Sequence, residues 1–291
     1  MTFSAVFTGM GQGNWLSIRL GRGAESVFCF LYFTDDHMRK DLFGIPIDIL
    51  TFNQTVDRAV QAMQTRSLTQ HVALNVAKLV KSRHNAELRR DIVESHIVGA
   101  DGMGIVWAGR LLGLRVPERV AGADLMESLL AACAFHGFRP YFLGARQDVL
   151  ERAMARAKGR WPGLQCAGAR NGYFPPEEES EIVAGIRDSG ADCLFIAMPT
   201  PQKERFLHNY REALNVPFIM GVGGSLDVLA GHVSRAPVFV QRAGLEWLYR
   251  IYQEPRRMWW RYATTNLAFA GLVGKALIER AFPRRASESR S

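Results

Sequence analysis

From about residue 42 to residue 222 the chain alternates short apolar runs with stretches of helical spacing, and no other property constrains its fold as strongly. The apolar runs at 71–75, 140–143, 164–167, 192–198 and 216–222 read as strands buried on both faces. A first helix follows Thr51, a candidate N-cap, with Val56, Ala59, Val60 and Met63 on its apolar face. A second is predicted over 76–88, with Lys78, Lys81 and Arg83 on its wet side. Asp124 and Glu127 fit a capping box ahead of Leu125, Leu129, Leu130 and Cys133, and Gly137 closes that helix. Further helices are predicted over 148–158, 176–188 and 202–214. Helices that regularly separate apolar strands imply right-handed crossovers. The expected fold is α/β, a Rossmann-like, mostly parallel sheet with helices on both faces.

In such sheets ligands lie beyond the carboxyl ends of the strands. The loops there are 144–145, 171–172, 199–201 and 221–224, and the same rim would hold Asn75, Asp101, Gly102, Gly223 and Gly224. The stretch 99–112 stands out, because an apolar approach (Ile97, Val98) ends in Asp101 among Gly99, Gly102 and Gly104, and a helix then opens. Glycines there let the backbone turn and approach a ligand closely, and helix-opening N–H groups favour an anion. The plainer alternatives are an Asp-Gly turn for Asp101 and a loop amide for Asn75. Asp227 follows the 221–224 loop and can bind ribose hydroxyls or a base N–H. Arg119 offers a fork of donors suited to a diphosphate, or else an ordinary salt bridge with Glu118 or Glu127.

The net charge of +8 asks for a polyanionic partner, and nucleic acid, anionic lipid and diphosphates all satisfy it. Residues 1–40 read as a poorly structured extension, since glycines break any period; the run 27–33 lacks a signal peptide's cleavage site. The core is expected over 41–234. Residues 235–291 form a basic, aromatic, helical appendage in which Arg235, Arg250, Arg256 and Arg257 interleave with Trp247, Tyr252, Trp259 and Trp260. That composition suits a membrane surface, a single-stranded nucleic acid or docking on the chain's own core. The apolar stretch 267–272 stops at Lys275 and Glu279, far short of the roughly 20 residues a membrane span needs. Cys29, Cys133, Cys166 and Cys193 show no Cys-x-x-Cys spacing, and Cys133 and Cys193 lie in apolar runs. This indicates a reducing cytoplasm and no bound metal.

Taken in order, Phe43-Gly-Ile-Pro-Ile-Asp48, the 99–112 stretch, Pro117-Glu-Arg-Val-Ala-Gly-Ala-Asp124, Gly221-Val-Gly-Gly-Ser-Leu-Asp227, Arg235-Ala-Pro237 and Gly244-Leu-Glu-Trp247 resemble the WecG/TagA/CpsF family of bacterial glycosyltransferases. The resemblance runs from about Leu42 to about Tyr262. It implies transfer of a sugar from a UDP-sugar donor to a polyprenyl-diphosphate-linked sugar in exopolysaccharide or cell-envelope synthesis. The enzyme would sit peripherally on the inner face of the cytoplasmic membrane, with an anionic membrane surface as partner, no nucleic acid, and self-association left open. Asp101 matches the family's proposed base. As an isolated carboxylate it would be weak at neutral pH, so cover from Ile105 or Trp107 should raise its pKa. Arg119 would contact a diphosphate or the acceptor. Asn75, Gly102, Gly223, Gly224 and Asp227 would hold the donor, and Arg250, Arg256 and Arg257 would close over the site from the tail.

With no Asp-x-Asp and no His or Cys cluster, transfer is expected to be metal-independent, with no cofactor, and the resemblance implies that it is inverting. The chain departs from its relatives at Ala73 and Ala77, where they carry Thr and often an acid. Its Pro-Gln-Lys-Glu leaves open whether Gln202 or Lys203 takes the family glutamine's role. The resemblance implies a hexose or N-acetylhexosamine, and with these departures N-acetylmannosamine, glucose and a uronic acid are all admitted. Two other classes compete. An NAD-dependent Rossmann oxidoreductase needs a third glycine after Gly102 and Gly104, but Gly109 comes too late. A non-enzymatic basic module would bind membrane or nucleic acid without turnover.

Overall fold

The computed structural model describes residues 38–253 and 255–282, together with strands β1 (Ala5–Phe7) and β2 (Leu16–Ile18). These two strands pair antiparallel in one short ladder. The apolar run 27–33 and Cys29 lie outside the described residues.

β3 (Arg39–Leu42) and β4 (Ile45–Asp48) form a hairpin whose turn places Phe43 and Gly44 at positive φ, 59° and 78°. The chain then runs α1 (Phe52–Thr65), β5 (Thr69–Leu74), α2 (Val76–Ser82), α3 (Ala86–Glu94), β6 (Ile97–Ala100) and α4 (Met103–Leu111). Next come α5 (Gly122–His136), β7 (Pro140–Gly144), α6 (Gln147–Arg160), β8 (Gly168–Arg170), α7 (Glu179–Asp188) and β9 (Cys193–Ala197). α8 (Gln202–Tyr210), β10 (Phe218–Gly221), α9 (Ser225–Ala230), α10 (Val238–Arg242), α11 (Glu246–Gln253) and α12 (Pro255–Ala281) complete it.

Strands β5 to β10 form one six-stranded sheet, every pairing parallel, in the order β6-β5-β10-β9-β7-β8. The α/β architecture expected from the alternation is present. On one face α1, α5, α6 and α9 pack around Phe142, Phe195, Phe218 and Met220. On the other, α2, α3 and α4 bury Val72, Leu74 and Val98, while α7 and α8 cover Leu194, Ile196 and Ile219. The β3–β4 hairpin is tied to the sheet by Asp48, which accepts hydrogen bonds from Arg39 Nε at 2.9 Å and from Val98 N–H at 2.5 Å.

Local signals explain several element starts. Thr51 caps α1 through a reciprocal pair: its hydroxyl accepts Gln54 N–H at 3.2 Å, and Gln54 Oε1 accepts Thr51 N–H at 2.8 Å. Other expectations need correcting. The helix expected over 76–88 is two helices, because the Asn85 side chain accepts Leu88 N–H at 2.8 Å and starts α3. The capping box at Asp124 does not form. α5 begins earlier, at Gly122, and the Asp124 carboxylate is taken by Arg235, 111 residues away. The strand expected at 164–167 lies at 168–170, where a side chain on Gly168 would meet the Tyr141 ring at 2.5 Å.

The tail is helical and part of it docks on the core. Phe269 of α12 is buried beside Leu79 and Ile105, edge-on to Phe43 with ring centroids 5.9 Å apart. The other side of α11 and α12 exposes Trp247, Tyr252, Trp259, Trp260 and Leu267. Among the described residues no helix is long and apolar enough to cross a membrane. Cys133 and Cys193 are buried, as their apolar surroundings suggested.

Candidate active site

The carboxyl ends of the sheet strands make a single rim, and most of the residues singled out in the sequence lie along it. Asp101 follows β6 directly, with its N–H donating to Leu74 O of β5 at 2.8 Å. Gly102 then turns the chain into α4 at φ 109°, with open space where a side chain would stand. Its neighbours serve the interior instead. A Cβ on Gly99 would come within 2.9 Å of His71 Nε2, and one on Gly104 within 2.7 Å of Val76. Of the three glycines expected to admit a ligand, only Gly102 has the backbone for it. Ile105 is buried in the core, and Trp107 of α4 is 47% exposed beside Gly244.

Asn75 ends β5 as the N-cap of α2, its Oδ1 accepting Lys78 N–H at 3.0 Å. Arg119 pairs with neither Glu118 nor Glu127 but with Glu246 of α11, at 2.7 Å. Glu118 instead accepts Phe52 N–H at the start of α1, and Glu127 holds Arg160. The Arg119–Glu246 and Arg235–Asp124 ion pairs tie the tail to the rim.

At β10, Gly223 adopts φ 51° and is exposed with Gly224, and Asp227 sits in the first turn of α9. A cleft of about 420 Å³ opens beyond β7, β8 and β9, lined by Ala145, Gly172, Tyr173, Phe174, Pro199 and Gln202. Gln202 therefore faces the cleft. Lys203 does not: it is buried, with Nζ 2.6 Å from Glu204 and 4.0 Å from Asp91. Burial holds the Asp91 carboxyl above its ordinary pKa. Arg256 is exposed, while the side chains of Arg250 and Arg257 lie outside the described residues.

Two residues of this region are not among those the sequence singles out. Lys78, expected on a wet helix face, turns back to donate from Nζ to Ala73 O at 2.8 Å, at the end of β5. Burial, then the charge of Lys203, lowers its pKa to about 8, against the opposing pull of Asp101, Asp91 and Glu204. The signal that could have found it was its place three residues after a capping residue that itself ends a buried strand. His71, in mid-strand, is fully buried, and neither ring nitrogen has a hydrogen-bond partner. Burial and the Lys78 charge lower its pKa to about 3, so the ring is neutral at physiological pH.

Such a rim can hold an extended anionic ligand. It carries a carboxylate at one end, an aromatic-walled cleft toward the other, and between them glycine turns and ammonium groups. Among the described residues no group of His, Cys, Asp and Glu is arranged to hold a metal ion. Compared with known families, residues 40–283 match the model described as Glycosyl transferase WecG/TagA/CpsF family.

Proposed function

The chain belongs to the WecG/TagA/CpsF family of glycosyl transferases, and from that premise we propose that it moves a hexose or N-acetylhexosamine from a UDP-sugar to a polyprenyl-diphosphate-linked sugar, with inversion and without a metal. Family membership makes it a transferase and removes the oxidoreductase and the non-enzymatic module. The finer reading is supported by one observation above all: the cleft walled by Tyr173 and Gln202 and the carboxylate-bearing end at Asp101 lie on the same rim. From β9 to β6 is three interstrand spacings, about 14 Å. A nucleotide sugar lying across the rim would have its base against Tyr173, its diphosphate over β10 and β5, and its anomeric carbon beside Asp101. Gly223, Gly224 and Asp227 would hold the nucleotide's middle from the α9 side.

In the reaction the acceptor hydroxyl oxygen attacks the anomeric carbon from the face opposite UDP. As that bond forms, the Asp101 carboxylate takes the hydroxyl proton. The bond to UDP breaks with its electron pair on the departing phosphate oxygen, and positive groups on the rim stabilise that charge. Arg119, with Arg250, Arg256 and Arg257 of the tail, would meet the diphosphates of donor and acceptor. The exposed rings of α11 and α12 supply a surface for the lipid headgroup region, where amphipathic aromatic side chains and arginine stems are favoured. Arrival at the membrane would then bring the acceptor to a site whose Arg119 is held by Glu246 of the same tail.

The test is transfer from a panel of labelled UDP-sugars to polyprenyl-diphosphate-linked acceptors in detergent with EDTA. Asp101→Asn should lower turnover by about 10²- to 10⁴-fold, the usual worth of a positioned base. Wild-type transfer that needs a divalent ion would overturn metal independence. Undiminished transfer by Asp101→Asn would overturn the base.

A further inference from the structure

The strand order reverses between β5 and β10. The chain leaves β5 into α2 on the face of Val72 and Leu74, and leaves β10 into α9 on the face of Phe218 and Met220. A crevice at such a switch point is where an open α/β sheet receives its ligand. The last β5–β10 pairing is His71 with Met220. Continued by one more rung, the ladder would give Ala73 O a hydrogen bond from Gly223 N–H. Instead Gly223 turns away at φ 51°, and Lys78 Nζ takes Ala73 O at 2.8 Å. An ammonium group thus occupies the place of the missing rung.

A second ammonium approaches the same place from α8. Gly221, the last residue of β10, leaves room for Lys203, whose side-chain end lies 3.1–3.3 Å from where a Cβ would stand. The two lysines differ in their partners. Lys203 has the Glu204 carboxylate at 2.6 Å, whereas the hydrogen bond Lys78 makes goes to an uncharged carbonyl. Lys78 therefore presents the less neutralised charge at the end of β5, and Gly223 and Gly224, just past the end of the paired strand β10, are exposed. Neither the cleft nor Asp101 supplies a cation at this midpoint.

We propose that the Lys78 ammonium binds the donor's diphosphate in the β5–β10 crevice and holds the charge that grows on the departing UDP. This assignment rests on the UDP-sugar reading above and adds a residue to it. The ligand chemistry is an anionic oxygen, which a donor could present as its diphosphate or as a uronic acid carboxylate; the assignment is to the diphosphate.

The experiment is calorimetric binding of UDP, uridine, UDP-glucose and UDP-glucuronate to full-length wild type, Lys78→Met and Lys78→Arg. Lys78→Met is expected to weaken UDP by tenfold or more, to leave uridine within about twofold, and to weaken both UDP-sugars alike; Lys78→Arg should recover most of the loss. A second readout does not depend on the variants' folding. Burial and the facing charge of Lys203 of α8 lower the Lys78 pKa to about 8, against the upward pull of Asp101 after β6, Asp91 of α3 and Glu204 of α8. A bound diphosphate anion raises that value, so wild-type UDP binding at pH 8 should take up as much as about half a proton, detected as a dependence of heat on buffer ionisation. Unchanged UDP affinity in Lys78→Met, equal losses for UDP and uridine, or no proton uptake by wild type would overturn the assignment. So would a loss confined to UDP-glucuronate, which would give Lys78 to the sugar carboxylate. Wild type that binds no UDP at all would remove the donor reading, and the assignment with it.

Discussion

His71 allows a sharp prediction about stability. Its imidazole is fully buried in β5 with both nitrogens unpartnered, and its pKa falls from 6.5 to about 3. The unfolded chain protonates this ring near pH 6.5, whereas the folded protein does not until about pH 3. Between those values the unfolded state binds the extra proton, so stability declines as pH falls through 6.5 and the loss is complete below about 3. At pH 5 the gap from the unfolded pKa is about 1.5 units, which at 1.36 kcal/mol per unit is about 2 kcal/mol relative to pH 7.5. His71→Leu keeps a side chain of similar bulk beside Gly99 and removes the proton site. Urea unfolding of both proteins at pH 7.5, 6.5, 5.5 and 5.0 should show wild type losing about 2 kcal/mol more than the variant across the series. Taking the difference cancels the other titrating groups, including Asp91, whose raised pKa acts in the opposite direction. A difference that stays flat from pH 7.5 to 5.0 would refute the burial of an uncharged ring.

Two further perturbations test the packing and the tail. Gly99→Ala would set a methyl 2.9 Å from His71 Nε2 inside the sheet; the expected cost is about 1–3 kcal/mol in chemical denaturation. Most of that cost should vanish when His71→Ala is added, because the coupling is between direct neighbours. Trp259 and Trp260 are 62% and 73% exposed, so replacing both with Ser should reduce co-sedimentation with anionic vesicles while leaving UDP affinity unchanged. Full vesicle binding by that double variant would place the lipid contact elsewhere.

Much of this architecture was legible one residue type at a time. The Thr51 cap, the buried thiols and the regular return of apolar runs are local, and local periodicity reports which faces are covered. The glycines show the limit of that reasoning. Gly99, Gly102 and Gly104 look equivalent in the sequence, yet two of them make room for His71 and Val76 and one turns the chain at the rim. Lys78 was misread for the same reason. On a helix considered alone it is a solvated cation, and only the end of β5 offers it Ala73 O.

By itself, then, the sequence determined the α/β class, the family and the chemical inventory of the rim, because strand and helix periods and ordered motifs are carried by near neighbours along the chain. The tertiary structure decided which side chains meet. Arg119 finds Glu246 127 residues later, and Asp124 gives up its expected cap for Arg235, 111 residues later. Those pairings depend on where the tail lies after the sheet and its helices have packed. Charge and spacing cannot specify them in advance, since several carboxylates stood closer along the chain to each arginine than the one it found.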